Sequence, residues 1–258
     1  MLRLFSLFFA LVTAIAAPCA WSGEVGVILL HGKASMPSGL GMQNLAAALE
    51  AKGYLVSVPE MGWSRNRIYD ASYDESMSEI DRIVQELRQK GAKKVIVAGQ
   101  SQGANAALGY AAHREGADGI IALAPGHVPE LGKFRDSAAA SVSRAKALIE
   151  EGKGREKHEF GDNDQGKRST VSATPEVYLS WFDPDGPAVM PKNAAAFKKP
   201  LPLLIIVGSR EKNAKGPEYF FHKAPSHPNS KFVTVEADHT GVPGAAAEEI
   251  LAWLGALQ

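Results

Sequence analysis

VIVAGQSQGANAALG, residues 95–109, reads as a strand, a tight turn and the start of a helix. Val95, Ile96, Val97 and Ala98 form a short run of β-branched and small apolar residues, and an Ala-rich helical stretch begins directly after Gly103. Ser101 stands at the apex between them, with Gly99 two residues before it and Gly103 two residues after. The glycines leave out side chains where the turn presses strand against helix. Such a turn holds a serine hydroxyl exposed at the carboxyl edge of a sheet, and it aims the following N–H, that of Gln102, at an oxygen held there.

The same rhythm extends outward in both directions. Short apolar runs at Glu24–Leu30, Tyr54–Val58, Gly119–Ala124, Leu201–Val207 and Lys231–Val235 predict further strands. Their near-continuous hydrophobicity suits strands covered on both faces, as in a parallel sheet. Helices are expected over Leu40–Lys52, Asp74–Lys90, Asp136–Glu151, Pro175–Phe182, Pro217–Lys223 and Ala245–Leu257. The strongest is Asp74–Lys90, with Ile80, Ile83, Val84 and Leu87 at i, i+3, i+4 and i+7. Six strands alternating with helices predict an α/β fold with a parallel sheet. Between 128 and 199 the apolar strand runs stop, and Asn163–Gly166 is expected to turn a small hairpin. A segment of this length inside a compact domain reads as a cap or lid.

In open parallel sheets, ligands bind at the carboxyl ends of the strands. His31, Glu60, Ser101, His127, Glu211 and His239 all fall at such ends. A serine hydroxyl is a weak nucleophile until a positioned base takes its proton, and a carboxylate can fix the base's tautomer. His239, between the last strand and the last helix, is the expected base, and Glu211, three residues past Gly208, the expected carboxylate. Asp183 and Asp185, in FDPDG, are rival acids.

In this pattern the chain resembles the α/β-hydrolase fold family. Gly99–Gly103 matches its nucleophile elbow, His31-Gly32 its His-Gly oxyanion motif, and Asp238-His239 its C-terminal histidine motif. The order Ser101, Glu211, His239 matches the family's nucleophile–acid–histidine order. The resemblance covers residues 24–258 and implies a mostly parallel sheet of about six strands with helices on both faces. It also implies that the family's first two strands are missing and that 128–199 is a cap after the family's sixth strand. Ser101 is then the nucleophile, His239 the general base and acid, and Glu211 the orienting acid. The backbone N–H groups of Gln102 and Lys33 form the oxyanion hole. The family's acid is more often Asp, so Glu211 departs from the pattern by one methylene.

The implied reaction is cleavage of a small or medium soluble carboxylic ester through an acyl-enzyme on Ser101, with no cofactor. Amide, peptide or thioester cleavage by the same residues is the enzymatic alternative. A non-catalytic binding protein on this fold is the alternative of another class. His31, Trp63, His127 and Trp181 are expected around the substrate pocket, although His31 also suits an anchor of the oxyanion loop. The remaining histidines, His113, His158, His222 and His227, lack ligand spacing, and no metal site is expected.

With 28 Lys and Arg against 28 Asp and Glu, and no basic stripe, nothing points to a nucleic-acid partner. Arg3, the apolar run Leu4–Ala17 and the small residues of Ala20-Trp21-Ser22 predict a cleavable signal peptide over residues 1–22, cut after Ser22 or after Ala20. The mature domain, 23–258, is then periplasmic or secreted with no membrane segment. Cys19, the one cysteine, leaves with the signal.

Overall fold

A computed structural model describes residues 24–164 and 166–257. The expected signal peptide lies outside the described residues. β1 (Val25–Leu30), β2 (Leu55–Ser57), β3 (Lys94–Gln100), β4 (Gly119–Leu123), β7 (Leu203–Gly208) and β8 (Lys231–Val235) make one sheet in the order β2-β1-β3-β4-β7-β8. Every pairing is parallel. Opposing Leu30 with Gly99 and Gln100 with Leu123 brings the carboxyl ends of β1, β3 and β4 level.

Alternate residues of each strand feed opposite cores, as the two-residue period of a strand requires. Ile28, Leu30, Val95 and Val97 face one layer, formed by α2 (Tyr73–Gln89), α3 (Gln102–His113) and the cap. Val27, Leu29, Ile96 and Ala98 face the other, where α1 (Leu40–Glu50) and α8 (Ala247–Ala256) place Leu45, Leu49, Ile250, Trp253 and Leu254. The periodic stripe of α2 is buried as expected at Ile80, Val84 and Leu87. A capping box between Ser72 and Glu75 starts that helix.

The segment after β4, expected as a cap, holds helices and a hairpin. α4 (Gly132–Glu150) lies beside the antiparallel hairpin of β5 (His158–Asp164) and β6 (Lys167–Ala173). α5 (Pro175–Phe182) adds the aromatic stack Phe160–Tyr178–Phe182, with centroids 4.4 and 4.3 Å apart. A short α6 (Met190–Ala195), begun by Pro191, was not anticipated from the periodicity.

Two expected helices differ. Pro217–Lys223 holds only a single 3₁₀ turn at Phe221–Lys223, because so short a segment cannot offset helix nucleation and buried Phe220 has an extended φ of −147°. The C-terminal helix, α8 (Ala247–Ala256), starts slightly later than expected, and a separate short helix, α7 (Val242–Ala245), precedes it with Pro243 in its first turn.

Candidate active site

Ser101 has φ 56° and ψ −114°, a left-handed conformation that a side chain adopts only when its surroundings impose it. The surroundings are visible in the hydrogen bonds. Its N–H donates to Leu123 O at 2.9 Å, and its carbonyl accepts from Ala104 N and Gly126 N at 3.0 and 3.2 Å. The two elbow glycines are sterically required. A Cβ on Gly99 would stand 2.1 Å from Gly103 O and one on Gly103 2.2 Å from Leu30 O; outside the elbow, one on Gly126 would stand 2.7 Å from Ser101 Oγ. The last of these omissions keeps one side of the hydroxyl open.

The loops after β3, β7 and β8 bring three polar side chains into line. His239 Nε2 lies 3.0 Å from Ser101 Oγ, and His239 Nδ1 lies 2.7 Å from Glu211 Oε1. Because a carboxylate only accepts, Nδ1 carries the proton and Nε2 is free to accept from the hydroxyl. The other carboxylate oxygen of Glu211 accepts from Gly208 N at 2.7 Å. Both oxygens are thus held, and the carboxylate is almost fully buried. The rival acids lie elsewhere. Asp183 pairs with Lys146 and Asp185 with Lys192.

The loop after β1 approaches the serine from the other side. A Cβ on Gly32 would meet Ser101 Cβ at 3.4 Å. Among the described residues, neither the Lys33 nor the Gln102 backbone N–H donates to a protein acceptor. These are the two amides expected for the oxyanion hole, and both remain available beside the hydroxyl.

Of the four residues expected around the pocket, only His127 lines the cavity. His31 is wholly buried; its Nδ1–H donates to Gly32 O at 2.9 Å while its Nε2 accepts from Met61 N at 3.1 Å. Burial lowers its pKa, keeping it neutral, and the ring braces the loop. Trp63 is 1% exposed and its indole N–H donates to His31 O at 2.8 Å. Trp181, equally buried, donates to Ala71 O. The two tryptophans meet edge to face at 5.2 Å as part of the core under the cap. Their size and apolarity drew them inward, which composition alone does not distinguish from pocket lining.

His127, with φ 60°, donates from Nε2 to Trp181 O at 2.8 Å, and its Nδ1 has no partner. Burial, helped by the nearby Lys33 ammonium, holds its pKa well below the usual histidine value.

The cavity over Ser101 has a volume of about 750 Å³. Its walls include Phe134 from α4, His127, and four cations from three segments: Lys133 of α4, Arg168 of β6, and Lys212 and Lys215 of the loop after β7. None of the four has an ion-pair partner among the described residues; of the wall carboxylates, Asp136 and Glu211 are engaged by Arg135 and His239, while Asp164 forms no ion pair among the described residues. The charged wall was missed in sequence because Lys133 and Arg168 belong to cap elements whose packing no local pattern encodes. Lys33 is expected at the site through its backbone N–H. Its side chain turns into the cap, where it pairs with Asp162 at 2.6 Å.

Among the described residues no group of three or more His, Cys, Asp or Glu could hold a metal ion, and no helix is long and apolar enough to cross a membrane.

A model of the alpha/beta hydrolase family matches residues 27–253. No curated protein matches the chain. Similar solved structures include one described with the metagenome-derived lipolytic enzymes LipS and LipT, at 16% identity and TM-score 0.61, covering 90% of this chain and 94% of that one. The siderophore hydrolase EstB from Aspergillus fumigatus is 14% identical with TM-score 0.62, and 93% of each chain is covered. Est1E from Butyrivibrio proteoclasticus, solved with ferulic acid bound, is 16% identical with TM-score 0.56, covering 89% of each. At these identities the likeness is one of fold.

Proposed function

Since the chain belongs to the alpha/beta hydrolase family, we propose that it is an exported serine hydrolase that cleaves a carboxylic ester through an acyl-enzyme on Ser101. The observation that carries the reading is the continuous hydrogen-bond chain Ser101 Oγ–His239–Glu211, at 3.0 and 2.7 Å, beside two unengaged amides.

Each step uses groups already in place. His239 Nε2 takes the hydroxyl proton as Ser101 Oγ attacks the ester carbonyl. Glu211 holds the imidazole in the tautomer that can accept, and it stabilises the imidazolium that forms. The Lys33 and Gln102 N–H groups receive the negative charge developing on the carbonyl oxygen. His239 then returns its proton to the departing alcohol, leaving the acyl group on Ser101. Water, deprotonated by the same nitrogen, attacks the acyl carbon; the proton goes back to Ser101 Oγ as the carboxylic acid leaves.

The four unpaired cations on the cavity wall favour a substrate with an anionic group at some distance from the scissile bond. Export rests on residues 1–22, and N-terminal sequencing of protein recovered outside the cytoplasm tests it. A mature chain that starts at Leu2 would remove that part of the reading.

The test of the chemistry is labelling by a fluorophosphonate, run on the native protein, Ser101→Ala and His239→Ala together. Labelling of the native protein that both substitutions abolish is the expected result. A native protein that folds, hydrolyses no ester, thioester or amide, and takes no label would move the chain to a non-catalytic binding role.

A further inference from the structure

The Lys33 side chain ties the cap hairpin to the sheet domain. Its Nζ donates to Asp162 Oδ1 at 2.6 Å and to Asn163 O at 3.3 Å. Both partners belong to β5 of the cap hairpin. The ammonium also lies over the rings of Phe134 and Phe182, at 5.1 and 5.3 Å from their centroids. The two charged side chains are buried, with 7% and 4% exposure. The hairpin's other external hydrogen bonds stay within the cap: Ser141 with Gly161 N, Ser137 with Asn163, Tyr178 with Gly161 O, and Arg144 with Glu159 O. Among the described residues, the hydrogen bonds from the hairpin to the sheet domain are those of Lys33 alone.

The backbone of the same residue lies in the oxyanion loop. On one side the His31 ring holds the Gly32 carbonyl; on the other, Ala34, with φ 49°, donates its N–H to Trp63 O at 3.0 Å. The direction of the intervening Lys33 N–H is therefore set by two attachments to the sheet domain and one, through the side chain, to the cap. A buried ammonium deprived of its carboxylate is strongly unfavourable, so losing Asp162 would drive Lys33 toward solvent and pull on the loop.

We propose that Asp162 is a positioning residue for the oxyanion hole: its buried ion pair with Lys33 aligns the Lys33 N–H only while the cap hairpin is docked. The proposal rests on the reading of Ser101 as nucleophile and of the Lys33 N–H as an oxyanion donor.

Asp162 is not part of the cavity wall, so a purely local structural role would leave kcat of the folded protein unchanged. A misdirected oxyanion donor acts on the transition state and leaves ground-state binding alone. The test uses the full chain with 4-nitrophenyl butyrate as substrate and a fluorophosphonate as inactivator. Asp162→Asn is expected to lower kcat by about 30-fold, with KM within about twofold and inactivation slowed in the same proportion. Asp162→Glu, which keeps the charge, is expected to recover most of that loss.

The double substitution Lys33→Met with Asp162→Leu replaces the pair by apolar side chains and is expected to fold, since such replacements of buried pairs are commonly tolerated. It should nevertheless remain slow. A folded Asp162→Asn or double variant with native kcat overturns the proposal, as does a loss confined to KM. A double variant that cannot fold also overturns it, because the pair would then be a requirement of the fold. Native protein that is not labelled at Ser101 defeats the underlying reading instead, and that result is read before any variant is compared.

Discussion

Gly103 leaves no room for a side chain on Gly99: a Cβ on Gly99 would stand 2.1 Å from the carbonyl oxygen of Gly103, and one on Gly103 would stand 2.2 Å from Leu30 O. The neighbour in each case is backbone, so no rotamer change can make room. Gly99→Ala and Gly103→Ala are therefore each expected to cost about 3 kcal/mol or more, a fall in Tm of roughly 6–12 °C for a domain of this size. Gly255, on the outer side of α8, has open space where a Cβ would go. Gly255→Ala should hold or raise stability, by up to about 1 kcal/mol. Thermal melts of the three variants side by side check the contrast. Equal melts would mean that the turn relaxes to admit a methyl group.

Glu211 is committed to His239 through one oxygen and to Gly208 N through the other. The extra methylene relative to Asp lets a single carboxylate reach both partners from this loop. Glu211→Gln keeps the shape but presents an amide that favours the wrong imidazole tautomer, and kcat is expected to fall by about 10³–10⁴. Asp183→Asn and Asp185→Asn remove only the ion pairs with Lys146 and Lys192 and should leave kcat within about twofold, because exposed pairs contribute little. Steady-state kinetics on the three proteins assigns the acid. A Glu211→Gln enzyme with native kcat would reopen that assignment.

The comparison of these carboxylates shows what a single chain makes legible. The sheet could be read because parallel strands are buried on both faces and each appears as an unbroken apolar run, from Val25–Leu30 to Leu203–Gly208. Ser101, His239 and Glu211 could be read because each sits one loop beyond such a run, where the fold gathers functional groups. Choosing Glu211 over Asp183 needed distances, since both follow plausible loop sequences. The cap was legible as an insertion with a hairpin, but not as a wall. Phe134 and Arg168 reach the cavity, and Asp162 reaches Lys33, through packing of α4 against the β5–β6 hairpin, a tertiary event without a period. The aromatic residues Trp63 and Trp181 misled for the same reason, as burial in a core and lining of a pocket select the same side chains.

The unpaired cations around the cavity predict a charge preference. With 4-nitrophenyl hemisuccinate and 4-nitrophenyl butyrate, which present acyl chains of similar length, kcat/KM should favour the carboxylate by about tenfold at low ionic strength. Added salt to about 0.5 M should compress the ratio, since screening at that concentration acts over a few ångströms. Lys212→Glu with Lys215→Glu should compress it too, while leaving the butyrate rate near native. These two residues lie on the loop that carries Glu211, so the butyrate rate also reports any disturbance of that loop. A ratio indifferent to both salt and substitution would leave the wall without a part in selecting substrate.

Two buried histidines set the acid limb of stability. Burial holds the pKa of His31 below its ordinary value, against the pull of its bond to Gly32 O; burial together with the Lys33 ammonium holds that of His127 well below it. In the unfolded chain both return to about 6.5. Between the folded values and 6.5 the unfolded state binds more protons, so stability rises with pH across that window and is fully present above it. Glu130 acts in the opposite sense. Burial raises its carboxyl, and the stability it contributes is lost as pH rises through its folded value. With three depressed histidines, His31, His127 and the partly desolvated His113, against one raised carboxyl, acidification from pH 7.5 to 5.5 is expected to lower Tm. His127→Asn should flatten the dependence, because asparagine tolerates the left-handed backbone at this position and carries no titrating group there. Urea unfolding at half-unit pH intervals measures the slope directly. A slope unchanged in His127→Asn would mean that His127 keeps its proton in the folded state, and that its free Nδ1 finds an acceptor on protonation.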